Sequence, residues 1–80
     1  MKIELKLYAS LGRYLPQALV EKKQRYLEIG EGTTVNVLLE NLKVPLEIVK
    51  LVFLNGTHAK GNEVLKDGDR LGVFPPVAGG

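Results

Sequence analysis

Few groups in this sequence are equipped for chemistry on their own. The chain contains no cysteine, which excludes disulfides, thiolate metal sites and a cysteine nucleophile. His58 has no second ligand-type residue at metal spacing and Ser10 has no base near it in sequence, so we predict neither a metal site nor a serine nucleophile. The remaining candidate is the α-carboxylate of Gly80, the second residue of the pair Gly79-Gly80. An α-carboxylate is ionised at pH 7 and is a poor electrophile, so any reaction at its carbon requires prior activation.

Two segments in the N-terminal part of the chain have the alternating pattern of half-buried strands. Residues 2–8 alternate strictly between charged and aliphatic side chains. Residues 24–29 form a second predicted strand, with Leu27 and Ile29 directed inward. Between them, residues 9–16 allow one helical turn that ends at a proline.

The middle of the chain contains the clearest helical pattern. Thr33 or Thr34 is a suitable N-cap, and Pro45 predicts that the helix stops at about Lys43. Apolar residues recur at the spacing of one amphipathic helical face. These residues are Val35, Leu38, Leu39 and Leu42.

The segment after this helix is less regular. Residues 46–50 fit either a helical turn or an extended lead-in, whereas residues 51–54 are apolar on both faces and predict an interior strand with Phe53 in the core. Asn55-Gly56 is a strong turn dipeptide. We expect residues 57–64 to be polar and irregular.

The C-terminal part predicts one more strand and then a tail. Asp67 and Asp69 flank a glycine, which is typical of a turn rather than of a catalytic carboxylate pair. Residues 70–74 form the last predicted strand, and the two prolines that follow it cannot donate to a sheet ladder. We therefore expect one α+β domain over residues 1–80, in which residues 75–80 form a flexible tail.

Composition restricts the function classes further. Apolar residues make up 45% of the chain and charged residues 25%, which is ordinary for a globular protein and argues against disorder. The densest basic patch is Lys22, Lys23 and Arg25 beside Tyr26, but the net charge is only +2. Because dedicated nucleic-acid-binding proteins carry a larger excess, we expect a solvated strand end and no nucleic-acid partner.

We also expect no membrane association. The longest apolar run, residues 51–54, is far shorter than a membrane span. The alternating charges that follow Met1 do not have the pattern of a signal peptide. These features predict a cytoplasmic protein.

Residues 65–80 resemble the C-terminus of the MoaD/ThiS family of ubiquitin-like sulfur carriers. Three features match: an Asp-Gly-Asp turn, an apolar strand, and Phe-Pro-Pro-Val before Ala-Gly-Gly. Upstream, Tyr-Ala-Ser-Leu-Gly-Arg and the Thr-Thr-Val helix start extend the resemblance over the whole chain. The resemblance implies a β-grasp fold, a mixed sheet of four to five strands packed against one main helix.

The same resemblance implies a carrier cycle rather than an enzyme. An adenylating enzyme of the MoeB/ThiF type uses ATP to activate the carboxylate of Gly80, and sulfur then replaces the adenylate to give a thiocarboxylate. Gly79 and Gly80 lack a Cβ, so they fit a narrow channel. No permanently bound cofactor is implied for the carrier itself.

Residues 74–78 are the partner-binding residues that this comparison implies. Phe74 is interpreted either as an exposed aromatic anchor or as a core residue, and Leu71 and Val73 as possible exposed neighbours. Pro75 and Pro76 end the strand and also serve as a stiff spacer. Val77 and Ala78 complete the segment before the diglycine.

The Phe-Pro-Pro-Val motif is most similar to that of the small subunit of molybdopterin synthase, in which the large subunit receives the tail. A carrier for the thiazole of thiamine, a carrier for another sulfur pathway, and a protein-conjugating homologue remain open. So does a ubiquitin-like interaction module with an inert tail.

Overall fold

The elements follow the predicted order, with two additions. The computed structural model describes residues 1–76. The strands are β1 (Lys2–Leu7), β2 (Tyr26–Glu28), β3 (Leu51–Leu54), β4 (Thr57–His58) and β5 (Arg70–Phe74). The helices are α1 (Gln17–Lys22) and α2 (Val35–Asn41), with 3-10 helices at Ala9–Tyr14 and Leu46–Ile48.

The five strands form one mixed sheet in the order β2-β1-β5-β3-β4. β1 and β5 are parallel, with Leu5 opposite Leu71 and Leu7 opposite Val73. β2 pairs antiparallel with β1, and β3 pairs antiparallel with both β5 and β4. The predicted α+β class and mixed sheet are confirmed.

Helix α2 begins where its cap was predicted. The Thr34 hydroxyl oxygen accepts a hydrogen bond from the Val37 N–H at 3.2 Å. The helix ends about two residues before the predicted stop, because Lys43 adopts a left-handed conformation with φ of 64°. Its apolar face packs on the sheet in a core that also holds Ile3, Leu5, Leu7, Leu11, Val52, Leu65, Leu71 and Val73.

Two elements were not predicted from the sequence. Helix α1 has a single buried residue, Leu19, so it shows no apolar stripe to recognise. Strand β4 consists of two exposed residues that were expected to be irregular. It forms because Asn55 and Gly56 have φ of 53° and 82°, a turn that folds the chain back onto β3.

Hydrogen bonds from the loop at residues 60–65 hold the start of α2 in place. Asn36 N–H donates to the Gly61 carbonyl at 2.9 Å, and Leu65 N–H donates to the Thr33 carbonyl at 2.8 Å. The Glu63 carboxylate accepts hydrogen bonds from the N–H groups of Lys60 and Gly61, both at 2.7 Å. These bonds, with that from Lys60 the strongest, lower the pKa of Glu63.

Replacing Leu39 by alanine should destabilise the domain strongly. Leu39 is 1% exposed and lies in the same core cluster as Leu5 and Leu7. Truncation should lower the free energy of unfolding by about 2–5 kcal/mol, measured by urea denaturation. The matched control is Val37→Ala on the same helix, where the side chain is 44% exposed and the expected change is within about 0.5 kcal/mol. A loss below about 0.5 kcal/mol for Leu39→Ala would contradict the packing of α2.

Stability should depend on the ionisation of Glu63 in acid. Because its pKa is lower in the folded state, the carboxylate stabilises the fold at neutral pH. This contribution should disappear as the pH falls from the unfolded value, about 4.3, through the lower folded value. An NMR titration of the carboxyl carbon should give a pKa below that of an ordinary glutamate, and Glu63→Gln should lose less stability over this range. An ordinary or raised pKa would show that the two hydrogen bonds are absent in solution.

Candidate functional site

The last described residues fix where the C-terminal segment leaves the sheet. The Phe74 carbonyl accepts a hydrogen bond from the Lys50 N–H at 2.8 Å, and the strand ends there, as the two prolines predicted. Pro75 is half-buried and Pro76 is exposed. The predicted site residues Val77, Ala78, Gly79 and Gly80 lie outside the described residues.

A shallow groove lies beneath the two prolines. It has a volume of about 440 Å³ and is formed by the first 3-10 helix and by the segment that holds the second. Its walls are Ser10, Arg13, Tyr14, Pro45 and Ile48.

Three aromatic rings, here called the aromatic patch, lie beside this exit point. Tyr8 and Phe74 stack with ring centroids 4.1 Å apart and planes 8° from parallel. Phe53 meets Phe74 edge to face, with centroids 5.7 Å apart. Because side chains alternate along a strand, Phe74 and its neighbour Phe53 lie on the sheet face opposite to the buried Val73. The patch is therefore on the open face of the sheet.

Gly72 forms a recess at the centre of the aromatic patch. A Cβ at this position would lie 3.4 Å from Cε2 of Tyr8 and 3.6 Å from Cε1 of Phe74, so alanine fits but larger side chains crowd the rings. The recess has a volume of about 250 Å³, and its charged border consists of Glu4, Lys6 and Arg70. The arrangement combines an apolar floor with a charged rim, as protein-binding surfaces do.

The structure corrects two expectations about this region. Leu71 and Val73 are not exposed beside the tail: they are 1% and 0% exposed, because they face the core while Gly72 and Phe74 face outward. Phe53 is not a core residue either, since its half-buried ring packs on Phe74. Phe74 itself is half-buried on the open face, which fits the anchor interpretation.

The other polar candidates have structural explanations. The Asp67 carboxylate accepts a hydrogen bond from Lys2 N–H at 2.8 Å, and that of Asp69 accepts from Lys66 N–H at 2.7 Å, so both hold the turn. His58 is exposed and its ring tilts against Phe53. Within residues 1–76, no three His, Asp or Glu side chains are grouped to hold a metal ion.

Within residues 1–76, no helix has the length and apolarity needed to cross a membrane.

The family of the chain follows from comparison with known proteins. The model of the ThiS family matches residues 14–80, more than half of the sequence and including the Gly79-Gly80 end. This chain belongs to the ThiS family. The family that was predicted from residues 65–80 is thus confirmed. The chain is of the ubiquitin-like sulfur-carrier type. None of the curated proteins matches the sequence at a significant level.

Solved structures agree with the fold of the ThiS-family chain. A putative molybdopterin converting factor subunit 1 from Pyrococcus furiosus is 26% identical, with 96% of this chain and 99% of that chain covered and a TM-score of 0.62. SAMP1 from Haloferax volcanii is 24% identical over the full length of both chains, with a TM-score of 0.68. One chain in the structure of the complex of subunits 1 and 2 of the molybdopterin-converting factor from Helicobacter pylori is 24% identical, with full coverage of this chain and of that chain and a TM-score of 0.59. These likenesses confirm the predicted β-grasp fold.

Members of this family are carriers rather than catalysts. In the described part of the ThiS-family chain, the carboxylates of Asp67 and Asp69 hold a turn, and the aromatic patch lies beside the point where the C-terminal segment leaves the sheet.

Proposed function

We propose that this chain carries sulfur on Gly80 and acts as the small subunit of molybdopterin synthase in molybdenum cofactor biosynthesis. The observation that carries the proposal is the ThiS-family match, which runs through residue 80 and so includes the diglycine. The Phe-Pro-Pro-Val motif before it and the 26% identity to a putative molybdopterin converting factor subunit 1 favour the molybdopterin pathway.

The proposed cycle has two chemical steps at the Gly80 carbon. A carboxylate oxygen attacks the α-phosphorus of ATP, pyrophosphate leaves, and an acyl adenylate forms. A sulfur nucleophile at the oxidation level of hydrosulfide then attacks the acyl carbon and forms the C–S bond. The C–O bond to the adenylate breaks, AMP leaves with one of the original carboxylate oxygens, and loss of the S–H proton gives the thiocarboxylate. Adenylation is needed because an ionised carboxylate is a poor electrophile. The ATP belongs to the adenylating enzyme, and the carrier needs no cofactor of its own.

The prolines and the diglycine have different roles in presenting the Gly80 carboxylate to an enzyme. Residues 77–80 span at most about 13 Å when extended, at about 3.3 Å per residue. Pro75 and Pro76 have fixed φ angles, so less conformational entropy is lost when the segment enters an enzyme channel. Gly79 gives the clearance that a narrow channel requires, and Gly80 presents the reacting carbon.

The aromatic patch is the proposed docking face for both partners. It lies directly beside the exit of the C-terminal segment, so a partner that covers Tyr8 and Phe74 also receives the tail. Its recess at Gly72 accepts an apolar side chain, and Lys6 and Arg70 at its rim pair with acidic groups. One partner is the adenylating enzyme, and the other is the large subunit of the synthase.

A two-subunit arrangement is supported by the Helicobacter pylori structure, in which subunits 1 and 2 of the molybdopterin-converting factor form a complex. The ThiS-family match is equally compatible with the alternative of a thiazole carrier. We place this cycle in the cytoplasm, so the partners can be recovered by affinity purification of the chain from native cytosol. Recovery of thiazole-pathway proteins alone would favour the thiazole carrier. Recovery of a molybdopterin synthase large subunit would favour the small-subunit role.

Truncating the aromatic patch should weaken both partnerships without unfolding the domain. Phe74→Ala removes the ring that contacts both Tyr8 and Phe53, and binding to the adenylating enzyme should fall by at least about tenfold, as for an interface hot spot. Isothermal titration with the purified enzyme measures the effect. The matched control is Tyr26→Ala, which removes an aromatic ring that is 57% exposed on β2, at the edge of the same sheet. Equal affinities for the two variants would exclude the aromatic patch as the docking face.

Adding one residue after Gly80 should abolish carrier function and leave the fold intact. The addition moves the carboxylate away from the position where ATP is attacked, and a displacement of about 1 Å is enough to cost about 10²-fold in rate. Stability should change by less than about 0.5 kcal/mol, because the addition lies beyond Pro76, which is already exposed. Gly80→Ala provides a second variant of the original length, in which a methyl group crowds the channel.

The measurement is intact-protein mass after incubation with adenylating enzyme, ATP and a sulfur donor. Wild type should gain the mass of one oxygen-to-sulfur exchange, and the extended chain should not. If the extended chain is thiocarboxylated as fast as wild type, Gly80 is not the reacting residue.

A further inference from the structure

The free edge of β2 has features that the carrier cycle does not use. β2 is the outermost strand of the sheet and has β1 as its single neighbour. Arg25 and Ile29 bond to β1, through the Leu5 N–H to Arg25 carbonyl bond and the Ile29 N–H to Met1 carbonyl bond, both 2.8 Å. Because bonding directions alternate along a strand, the N–H and C=O groups of Tyr26 and Glu28 point away from the sheet. Four backbone groups are thus directed toward solvent.

A cleft of about 880 Å³ follows this edge. Leu19 from α1 and Leu27 from β2 give it an apolar strip, and Tyr26 also lines it. The cleft also reaches Lys2 and Gly68 at the start of β1. That is the end of β1 opposite to Tyr8, so the cleft is separate from the aromatic patch.

The charges along the cleft are unevenly distributed. At the Glu28 end, the N-terminal ammonium group pairs with the Glu28 carboxylate at 3.8 Å. At the Arg25 end, Lys22, Lys23 and Arg25 are all exposed. Across residues 1–76, none of these three cations comes within 4.0 Å of a carboxylate. One end of the cleft therefore has uncompensated positive charge.

We infer that the β2 edge binds an extended peptide segment of a partner protein, in which apolar residues are followed by acidic ones. The peptide adds to the sheet as an antiparallel strand and bonds to the free backbone groups of Tyr26 and Glu28. Since β2 runs from Arg25 toward Glu28, the C-terminal end of an antiparallel peptide lies beside Arg25. Its acidic residues then meet Lys22, Lys23 and Arg25, while its apolar residues cover Leu19 and Leu27.

Charge and shape favour this occupant over two others. A second copy of the chain would bring a short polar edge of its own, and exposed lysine and arginine at an edge oppose such self-pairing. A single-stranded RNA would need a longer basic groove, whereas this cleft also contains Glu28 and Asp67. An acidic peptide matches both the backbone groups and the charge.

The test uses the full chain and a fluorescent synthetic peptide with four alternating valine and isoleucine residues followed by three aspartates. Fluorescence anisotropy should show saturable binding, and NMR shift changes should map to residues 24–29. Replacing the aspartates by lysines, or methylating the peptide amides that face β2, should weaken binding by at least about tenfold. Binding that survives both changes, or that maps to the aromatic patch, would overturn the inference.

Charge variants test the basic end of the cleft. The double variant Lys23→Gln, Arg25→Gln should weaken peptide binding by at least about tenfold, because it removes two of the three cations. The matched control is the double variant Lys50→Gln, Lys60→Gln, which neutralises two exposed lysines that flank β3 and β4 at the other side of the sheet and should change affinity by less than about twofold. Equal losses in the two variants would show that binding follows net charge alone and would refute the site.

Backbone variants test the edge itself. Tyr26→Pro removes an N–H that β1 does not use, so the domain should remain folded while peptide binding is lost. Tyr26→Ala keeps the N–H and should retain most of the affinity, with heteronuclear NMR spectra reporting folding of both. If proline unfolds the domain, the amide-methylated peptide tests the reciprocal bonds, in which N–H groups of the peptide donate to the carbonyls of Tyr26 and Glu28. A wild-type chain that dimerises through residues 24–29, or that binds single-stranded RNA there in preference to the peptide, would overturn the proposal.

Discussion

The parallel pairing of β1 with β5 is the interaction on which the other features depend. It joins the first strand to the last through the Glu4 N–H to Asp69 carbonyl bond at 2.8 Å and the Tyr8 N–H to Val73 carbonyl bond at 3.0 Å. A parallel pair needs a long crossover, and the intervening chain supplies the helix that covers the sheet. The register also brings Tyr8 beside Phe74, so the aromatic patch and the exit of the C-terminal segment are placed together.

The domain therefore separates packing from recognition by sheet face. The face covered by α2 holds the buried aliphatic residues, while the open face holds the aromatic patch. Hydrogen-bonded carboxylates such as Asp67, Asp69 and Glu63 hold turns and loops instead of reacting. This arrangement suits a carrier, whose folded part needs to be rigid and recognisable while the chemistry takes place at the end of the chain.

Much of this fold could be predicted because its patterns are local. Strict alternation predicted β1, and a capped apolar stripe predicted α2. The errors occur where residues are apolar on both faces. In β5 and β3 the alternation is ambiguous, so Leu71 and Val73 were interpreted as possible exposed neighbours of Phe74, and Phe53 as a core residue. The register of the sheet instead directs Leu71 and Val73 into the core and Phe53 to the open face. Helix α1 and strand β4 are too short for a periodic signal, and tertiary contacts decide them. The role of Gly79 and Gly80 was predicted from the family motif and stays a prediction.

The most direct test of the sulfur-carrier account is to locate the sulfur by tandem mass spectrometry. The wild-type chain is incubated with adenylating enzyme, ATP and a sulfur donor, and its C-terminal fragments are then sequenced. Oxidation of Met1, the single methionine of the chain, gives nearly the same gain in mass, and the position of the modified fragment distinguishes it from sulfur at Gly80. The account predicts one oxygen-to-sulfur exchange, confined to fragments that contain Gly80. An unchanged mass with active enzyme, or sulfur at any other residue, would contradict it.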